Sequence, residues 1–241
     1  MKLSSSRRED LSSTRPFLHV VIDGAFSERE MQAAAVAWPS ADWHGWHGYD
    51  SLLERKRTCS CWTQMPPVIR DLMAELLLVP VETLLREYSS DGQVIPDTSL
   101  WGAGLNDMRN GDHLDVHLDH DRHPHTHLER YATGILYLGK WKQEWGGELE
   151  LWPVGLEAGE ARIAPGRGRL VIFRNADTAY HAVAPVTAPA GIIRMSLTVF
   201  WYRGPLGVPV RPRAQFVAAG SELAGANPAK EALRHQRRSW L

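Results

Sequence analysis

HLDVHLD (113–119), ATGILYLG (132–139), GGELELWPV (146–154), RLVIF (169–173), AYHAVAPV (179–186) and RMSLTVFWYR (194–203) follow one another between Gly, Pro and Asp punctuation. GELELW and MSLTVFWY alternate as strands with one buried face do, and no helical pattern separates the runs. Six strands in close succession predict antiparallel β structure rather than βαβ units. Upstream, FLHVVID (17–23) reads as another strand. Ser27 opens SEREMQAAAVAW with Glu30 three residues on, the signature of a capping-box helix that stops before Pro39. PPVIRDLMAELL (66–77) is a second helix, with Pro at its start. Helices first and strands after predict a mainly β (α+β) protein: a double-stranded jelly roll with an N-terminal helical buttress. Residues 1–15 are expected to be a disordered tail, 16–205 one domain with its core at 94–203, and 206–241 a tail or helix. Residues 40–50 read as irregular.

The composition narrows the function. The 241 residues carry 27 Lys+Arg against 28 Asp+Glu, a formal charge of −1, so no global basic field predicts a nucleic-acid or anionic-membrane partner. No run approaches the ~18 apolar residues of a membrane span. The N-terminus lacks a signal-peptide core, and the only cysteines, Cys59 and Cys61, cannot staple a secreted scaffold. The expectation is a cytoplasmic protein.

His117 and Asp119 stand two apart on a predicted strand, so their side chains leave one face, and His181 lies on another strand. Two His and one carboxylate on one side of an iron leave three positions open, the facial triad of non-heme Fe(II) oxygenases. His113 and Asp115 form a second pair of the same type; the period-2 reading puts it on the same strand face, too far along for both pairs to hold one ion. Arg194 and Ser196 form a third feature. A guanidinium entering a β core is costly without an anion, and no acidic residue nearby in sequence supplies one, so a carboxylate ligand is the economical partner.

These pieces, in this order, resemble the Fe(II)/2-oxoglutarate-dependent oxygenase family, and within it the prolyl 4-hydroxylase-type catalytic domain. The resemblance runs over about residues 94–203: Gly111, Leu114, His117 and Asp119; Thr133 and Tyr137; Trp145 followed by Gly146-Gly147 and Leu149; LVIF; His181; and Arg194 with Ser196. It implies His117, Asp119 and His181 as iron ligands, the lead-in from Gly111 selecting the second His-x-Asp pair. It implies Arg194 as the anchor of the 2-oxoglutarate C5 carboxylate, assisted by Tyr137 and Ser196, with Thr133 and Leu149 lining the pocket. Asn106 is a weak counterpart of a tyrosine or histidine that members often carry before the motif. Fe(II), 2-oxoglutarate and O₂, with ascorbate as reductant, would then hydroxylate a C–H bond of a small-molecule or peptidyl substrate such as a prolyl residue, giving succinate and CO₂. The halide-transferring relatives lack the ligand carboxylate, so Asp119 favours hydroxylation. From the residues alone two rivals stay open: a non-catalytic jelly-roll module that holds metal or sugar, and a zinc hydrolase using the same three ligands. His120, His123, His125 and His127 read as a solvated loop beside the metal strand, WHGWHGY (43–49) as aromatics packed on the roll, and RHQRR (234–238) as a solvated tail.

Overall fold

The computed structural model describes residues 12–87, 93–204 and 211–238. In chain order its strands are β1 (Ser12–Ser13), β2 (His19–Ile22), β3 (His47–Asp50), β4 (Glu54–Cys59), β5 (Ile95–Pro96), β6 (Gly104–Met108), β7 (His113–Leu118), β8 (Glu129–Tyr137), β9 (Leu149–Trp152), β10 (Ala161–Ile163), β11 (Leu170–Arg174), β12 (Tyr180–Val183), β13 (Arg194–Arg203) and β14 (Gln215–Phe216). The helices are α1 (Glu28–Val36), α2 (Pro67–Leu77), α3 (Val81–Leu85) and α4 (Pro228–Arg238). All six runs that opened the sequence reading are strands. They belong to one curled antiparallel sheet in the order β1-β2-β11-β8-β13-β6-β4-β7-β12-β9-β10. The curl makes a jelly roll with two facing walls: β11, β8, β13 and β6 on one side, β7, β12 and β9 on the other. β4 pairs with both β6 and β7 and so joins the walls.

β13 shows how the sequence builds both sides of its wall. Leu197, Val199 and Trp201 enter the cluster they share with Met31 and Ala34 of α1 and Ile69, Met73 and Leu76 of α2. The alternate residues Arg194, Ser196, Thr198 and Phe200 face the inside of the roll. The Trp201 ring lies so close to β8 that a Cβ on Gly134 would sit 2.7 Å from it, which explains the glycine in the middle of the strand. α1 begins as its sequence predicts: Ser27 Oγ accepts from the Glu30 amide at 3.3 Å, and the Ser27 amide donates to Glu30 Oε2 at 2.7 Å.

Four expectations are corrected. Within 40–50, His47–Asp50 is a strand, paired in a hairpin with β4, whose charged sequence ERKRTC hides it from a hydrophobicity reading. Of the expected N-terminal tail, Ser12 and Ser13 pair with Val20 and His19, and residues 1–11 lie outside the described residues. At the other end, where a tail or helix was expected, Gln215 and Phe216 pair with Leu118 and His117 and add a strand to the edge of β7. RHQRR is the end of α4, in which Arg234 is buried and ion-pairs with Glu222 and Glu231.

Arg237 Nη1 of α4 reaches Glu54 Oε1 at 2.6 Å, and Lys56 Nζ lies 3.2 Å from Glu54 Oε2. Glu54 is buried; its burial opposes the charge, but Lys56 and Arg237 outweigh it and hold the carboxyl below its ordinary value of 4.5. A folded-state value below the unfolded one stabilises the fold above pH 4.5 and loses that contribution as pH falls through the folded value. Glu54→Gln is therefore expected to lower the melting temperature at pH 7, with the deficit shrinking below pH 4.5. A deficit independent of pH in thermal unfolding scans would refute this.

Candidate metal centre and anion clamp

His181 lies directly opposite His117 in the β7–β12 ladder, and their rings are 4.2 Å apart at the centroids. His117 Nδ1 donates to the Asp115 carbonyl at 2.9 Å, and His181 Nδ1 donates to the Ala179 carbonyl at 2.9 Å. A carbonyl only accepts, so both Nδ1 atoms carry a proton and both Nε2 atoms are left to face the interior of the roll. Burial first, and then the neighbouring His117, pushes His181 down to about 4, so the ring is neutral at pH 7 and available as a ligand. Asp119, one residue past the end of β7, brings Oδ1 to 3.5 Å from His117 Nε2 and Oδ2 to 3.7 Å from His181 Nε2. The three ligand atoms lie within 4.8 Å of one another.

The rival pair sits elsewhere. Asp115 holds Lys230 Nζ at 2.7 Å, and His113 Nε2 meets the Leu52 carbonyl at 3.2 Å. The expectation that both pairs share a strand face fails because the ladder slips. His181 opposes His117 but Val183 opposes Leu114, so three residues of β7 span two of β12. The irregularity turns Leu114 inward with His117 and directs His113 and Asp115 to other partners.

Asp119 has a partner that the sequence reading missed. Arg130, fully buried at the start of β8, places Nη1 2.5 Å from Asp119 Oδ2, and its guanidinium lies 3.5 Å over the Phe200 ring. Thr133 Oγ1 donates to the same Oδ2 at 3.3 Å. Burial opposes the Asp119 charge, yet Arg130, His181 and His117 together hold the carboxyl well below 3.8. The argument applied to Arg194, that an Arg entering a β core must meet an anion, would have found Arg130 in ERYATGILY. Its other flank is His120, which contacts Arg130 and reaches the Tyr202 hydroxyl at 3.0 Å. Burial and the Arg130 charge drop His120 to about 2 and keep it neutral. The solvated-loop expectation is thus corrected for two of its four histidines. His120 and His123 are buried, His123 joining Ser99 Oγ at 3.0 Å and accepting from the His125 and Thr126 amides on its other nitrogen.

Across the cavity from the metal cluster lies Arg194, 3% exposed. Nε donates to the Gly147 carbonyl at 2.7 Å, Nη2 donates to the Tyr137 hydroxyl at 3.1 Å, and Nη1 lies 3.6 Å from the Met108 sulfur. Gly147 is in the left-handed region (φ +70°), and a Cβ there would stand 3.1 Å from Arg194 Cδ. Among the described residues no Asp or Glu oxygen comes within ion-pair distance of this guanidinium. Burial lowers its proton affinity, and burial likewise raises that of Tyr137, which stays a neutral donor. A cationic fork and a phenol in a buried site with no ion-pair partner among the described residues are set up for a carboxylate. The cavity between the two centres measures about 100 Å³ and is lined by Thr133, Leu149, Ser196 and Asn106, and also by Lys56 and Thr198. A larger hollow of about 260 Å³, near Leu77, Val94 and Trp201, has no comparable convergence of polar groups.

Fold and site together define a jelly-roll protein with a His/Asp/His cluster and an anion clamp facing one small cavity. Residues 103–203 match the model of the 2OG-Fe(II) oxygenase superfamily. Residues 103–203 are thus similar to a 2OG-Fe(II) oxygenase domain, and that family implies Fe(II), 2-oxoglutarate and O₂. A comparison with curated protein sequences finds no match. Among solved structures, a Pseudomonas putida prolyl-4-hydroxylase is similar with TM-score 0.56 at 17% identity, covering 78% of this chain and 93% of that one. A Trichoplax adhaerens prolyl hydroxylase, in complex with a hypoxia inducible factor oxygen degradation domain peptide, gives 0.54 at 16% identity over 77% and 83%. A viral collagen prolyl hydroxylase from Paramecium Bursaria Chlorella virus-1, a 2-oxoglutarate complex, gives 0.51 at 18% over 77% and 96%. These likenesses are of fold. The donor set fits the family's metal: two imidazole nitrogens and a carboxylate, oriented by carbonyls and an arginine behind them.

Proposed function

We propose that this chain hydroxylates an unactivated C–H bond, with Fe(II) held by His117, Asp119 and His181 and 2-oxoglutarate anchored by Arg194. Bound together, Fe(II), 2-oxoglutarate and O₂ supply the oxidising power: 2-oxoglutarate, O₂ and R–H become succinate, CO₂ and R–OH. The observation that carries the reading is the buried Arg194 guanidinium, without a carboxylate partner among the described residues, facing the same cavity as the His/Asp/His cluster. Arg194 would take the C5 carboxylate, and the Tyr137 hydroxyl, already accepting from Arg194, has its own proton to donate to it. Ser196 stands beside this contact. Thr133 belongs as much to the metal side, since it donates to Asp119, and Leu149 supplies an apolar wall. Neutral His181 can bind metal without first losing a proton. A zinc hydrolase or a sugar-binding roll would leave the Arg194 clamp without a use.

A prolyl or proline-like substrate is the best-supported class, because the three structures of similar fold are prolyl hydroxylases. Ascorbate as the reductant that restores Fe(II) follows from the same family reading. Action in the cytoplasm is supported by Cys59 and Cys61, both free thiols. The test is succinate formation from 2-oxoglutarate by protein purified anaerobically, supplied with Fe(II), O₂ and ascorbate, alongside anaerobic titration of the Fe(II) protein with 2-oxoglutarate. A visible charge-transfer band on titration, lost in His181→Ala, is expected. Absence of both succinate and the band would overturn the proposal.

A further inference from the structure

The family match ends at residue 203, yet the segment 211–238 closes back on the metal strand. β14 pairs with β7 so that Phe216 lies opposite His117, and the Val217 amide donates to the Val116 carbonyl at 3.0 Å. Phe216, 3% exposed, stacks on the His117 ring at 5.2 Å with the planes 30° apart. Ring contacts continue in both directions, the inward ones tilted by 53° and 55°. Inward, His117 meets His181 at 4.2 Å, and His181 meets Phe173 at 4.8 Å. Outward, the Arg237 guanidinium covers Phe216 at 4.9 Å while paired to Glu54 of β4. The two metal-side imidazoles therefore stand inside a column of rings whose outer end belongs to the C-terminal arm. The arm also grips Asp119: Arg211 Nε donates to the Asp119 carbonyl at 2.5 Å, and the Arg211 amide donates to Asp121 Oδ1 at 2.8 Å. Lys230 neutralises Asp115, two residues before His117.

We propose that the C-terminal arm is a part of the metal centre, with Phe216 the positioning residue for His117 and Arg211 the positioning residue for Asp119. The proposal rests on the reading of His117, Asp119 and His181 as metal ligands. The Asp115 carbonyl fixes the tautomer of His117, and one hydrogen bond leaves the ring free to swing about it. A ring stacked on its outer face removes that freedom, so Nε2 is directed into the cavity before any ion arrives. Groups behind a ligand typically change metal affinity by 10- to 100-fold.

Co(II) alone, added to the full chain, reads this directly through its affinity and through its visible absorption, which reports the arrangement of the ligands. Phe216→Ala and Arg211→Ala should each weaken Co(II) binding by at least about tenfold and change the absorption bands. Phe216→Tyr, which keeps the stack, should restore both. A Phe216→Ala protein that melts earlier but binds Co(II) with native affinity and spectrum would show a role in folding only, and would overturn the proposal. If Phe216→Ala does not fold, Arg211→Ala decides in the same way. A native chain that binds no Co(II) would overturn the ligand reading itself, whereas native binding with unaltered variants would overturn only the role of the arm.

Discussion

Arg194→Ala should raise the KM for 2-oxoglutarate by roughly 30-fold to several-thousand-fold, while Co(II) or Fe(II) binding in the absence of 2-oxoglutarate stays near native. The range follows from the cost of removing one partner of a buried, hydrogen-bonded charge pair, about 2–5 kcal/mol, at about 1.4 kcal/mol per tenfold. The site places this residue at the expensive end. The guanidinium is 3% exposed, no carboxylate of the described chain answers it, and its Nε and Nη2 are fixed by the Gly147 carbonyl and the Tyr137 hydroxyl. An incoming carboxylate therefore meets a fork already oriented and already dry. Arg194→Lys keeps the charge but loses the fork, and should fall between native and alanine. Tyr137→Phe removes one hydrogen bond and should cost about tenfold or less. The split between cosubstrate KM and metal affinity is the discriminating readout. An unchanged KM in Arg194→Ala would remove the clamp from the mechanism, and a parallel loss of metal would point to general disruption of the roll.

The sequence made the strands legible because each carries apolar residues for at least one buried face, and it made His117, Asp119, His181 and Arg194 legible because ligand types recur at strand spacing. It failed where the partner comes from far away. β4 is charged on the residues that show, and only its pairing with β6 and β7 makes it a strand. His120 and His123 look like loop histidines until Arg130, Tyr202 and Ser99, distant in sequence or across the turn, take their ring nitrogens. The competing pair His113 and Asp115 obeyed the period-2 rule on paper. A one-residue slip in the β7–β12 register, invisible in the sequence of β7 alone, separates it from the cavity. The C-terminal arm is the largest such case, since nothing in AQFVAAG announces that its phenylalanine will stack on a metal-side histidine.

Asp119→Asn should lose two things at once, and a second substitution should separate them. The first is the metal: the amide keeps the shape of the side chain but removes its negative charge, so Fe(II) affinity and turnover are expected to collapse. The second is stability. Arg130 is fully buried, and its ion pair to Asp119 at 2.5 Å is its charge partner in the site. Leaving a buried cation uncompensated costs about 3–5 kcal/mol. Asp119 is partly open to the cavity and Arg130 also rests on Phe200, so the lower figure applies, about 3 kcal/mol, or a fall of roughly 6–12 °C in melting temperature for a chain of this size. Arg130→Met in the Asp119→Asn background removes the stranded charge while keeping most of the apolar contact with Phe200. The double variant should regain most of the lost melting temperature and none of the lost metal. Additive melting shifts in that double-mutant cycle would mean that the two residues are not coupled in the folded protein. Recovery of stability without recovery of metal would instead show that Arg130 is retained to neutralise and hold a carboxylate that the metal requires, which is why a fully buried arginine can stand in the wall of this roll.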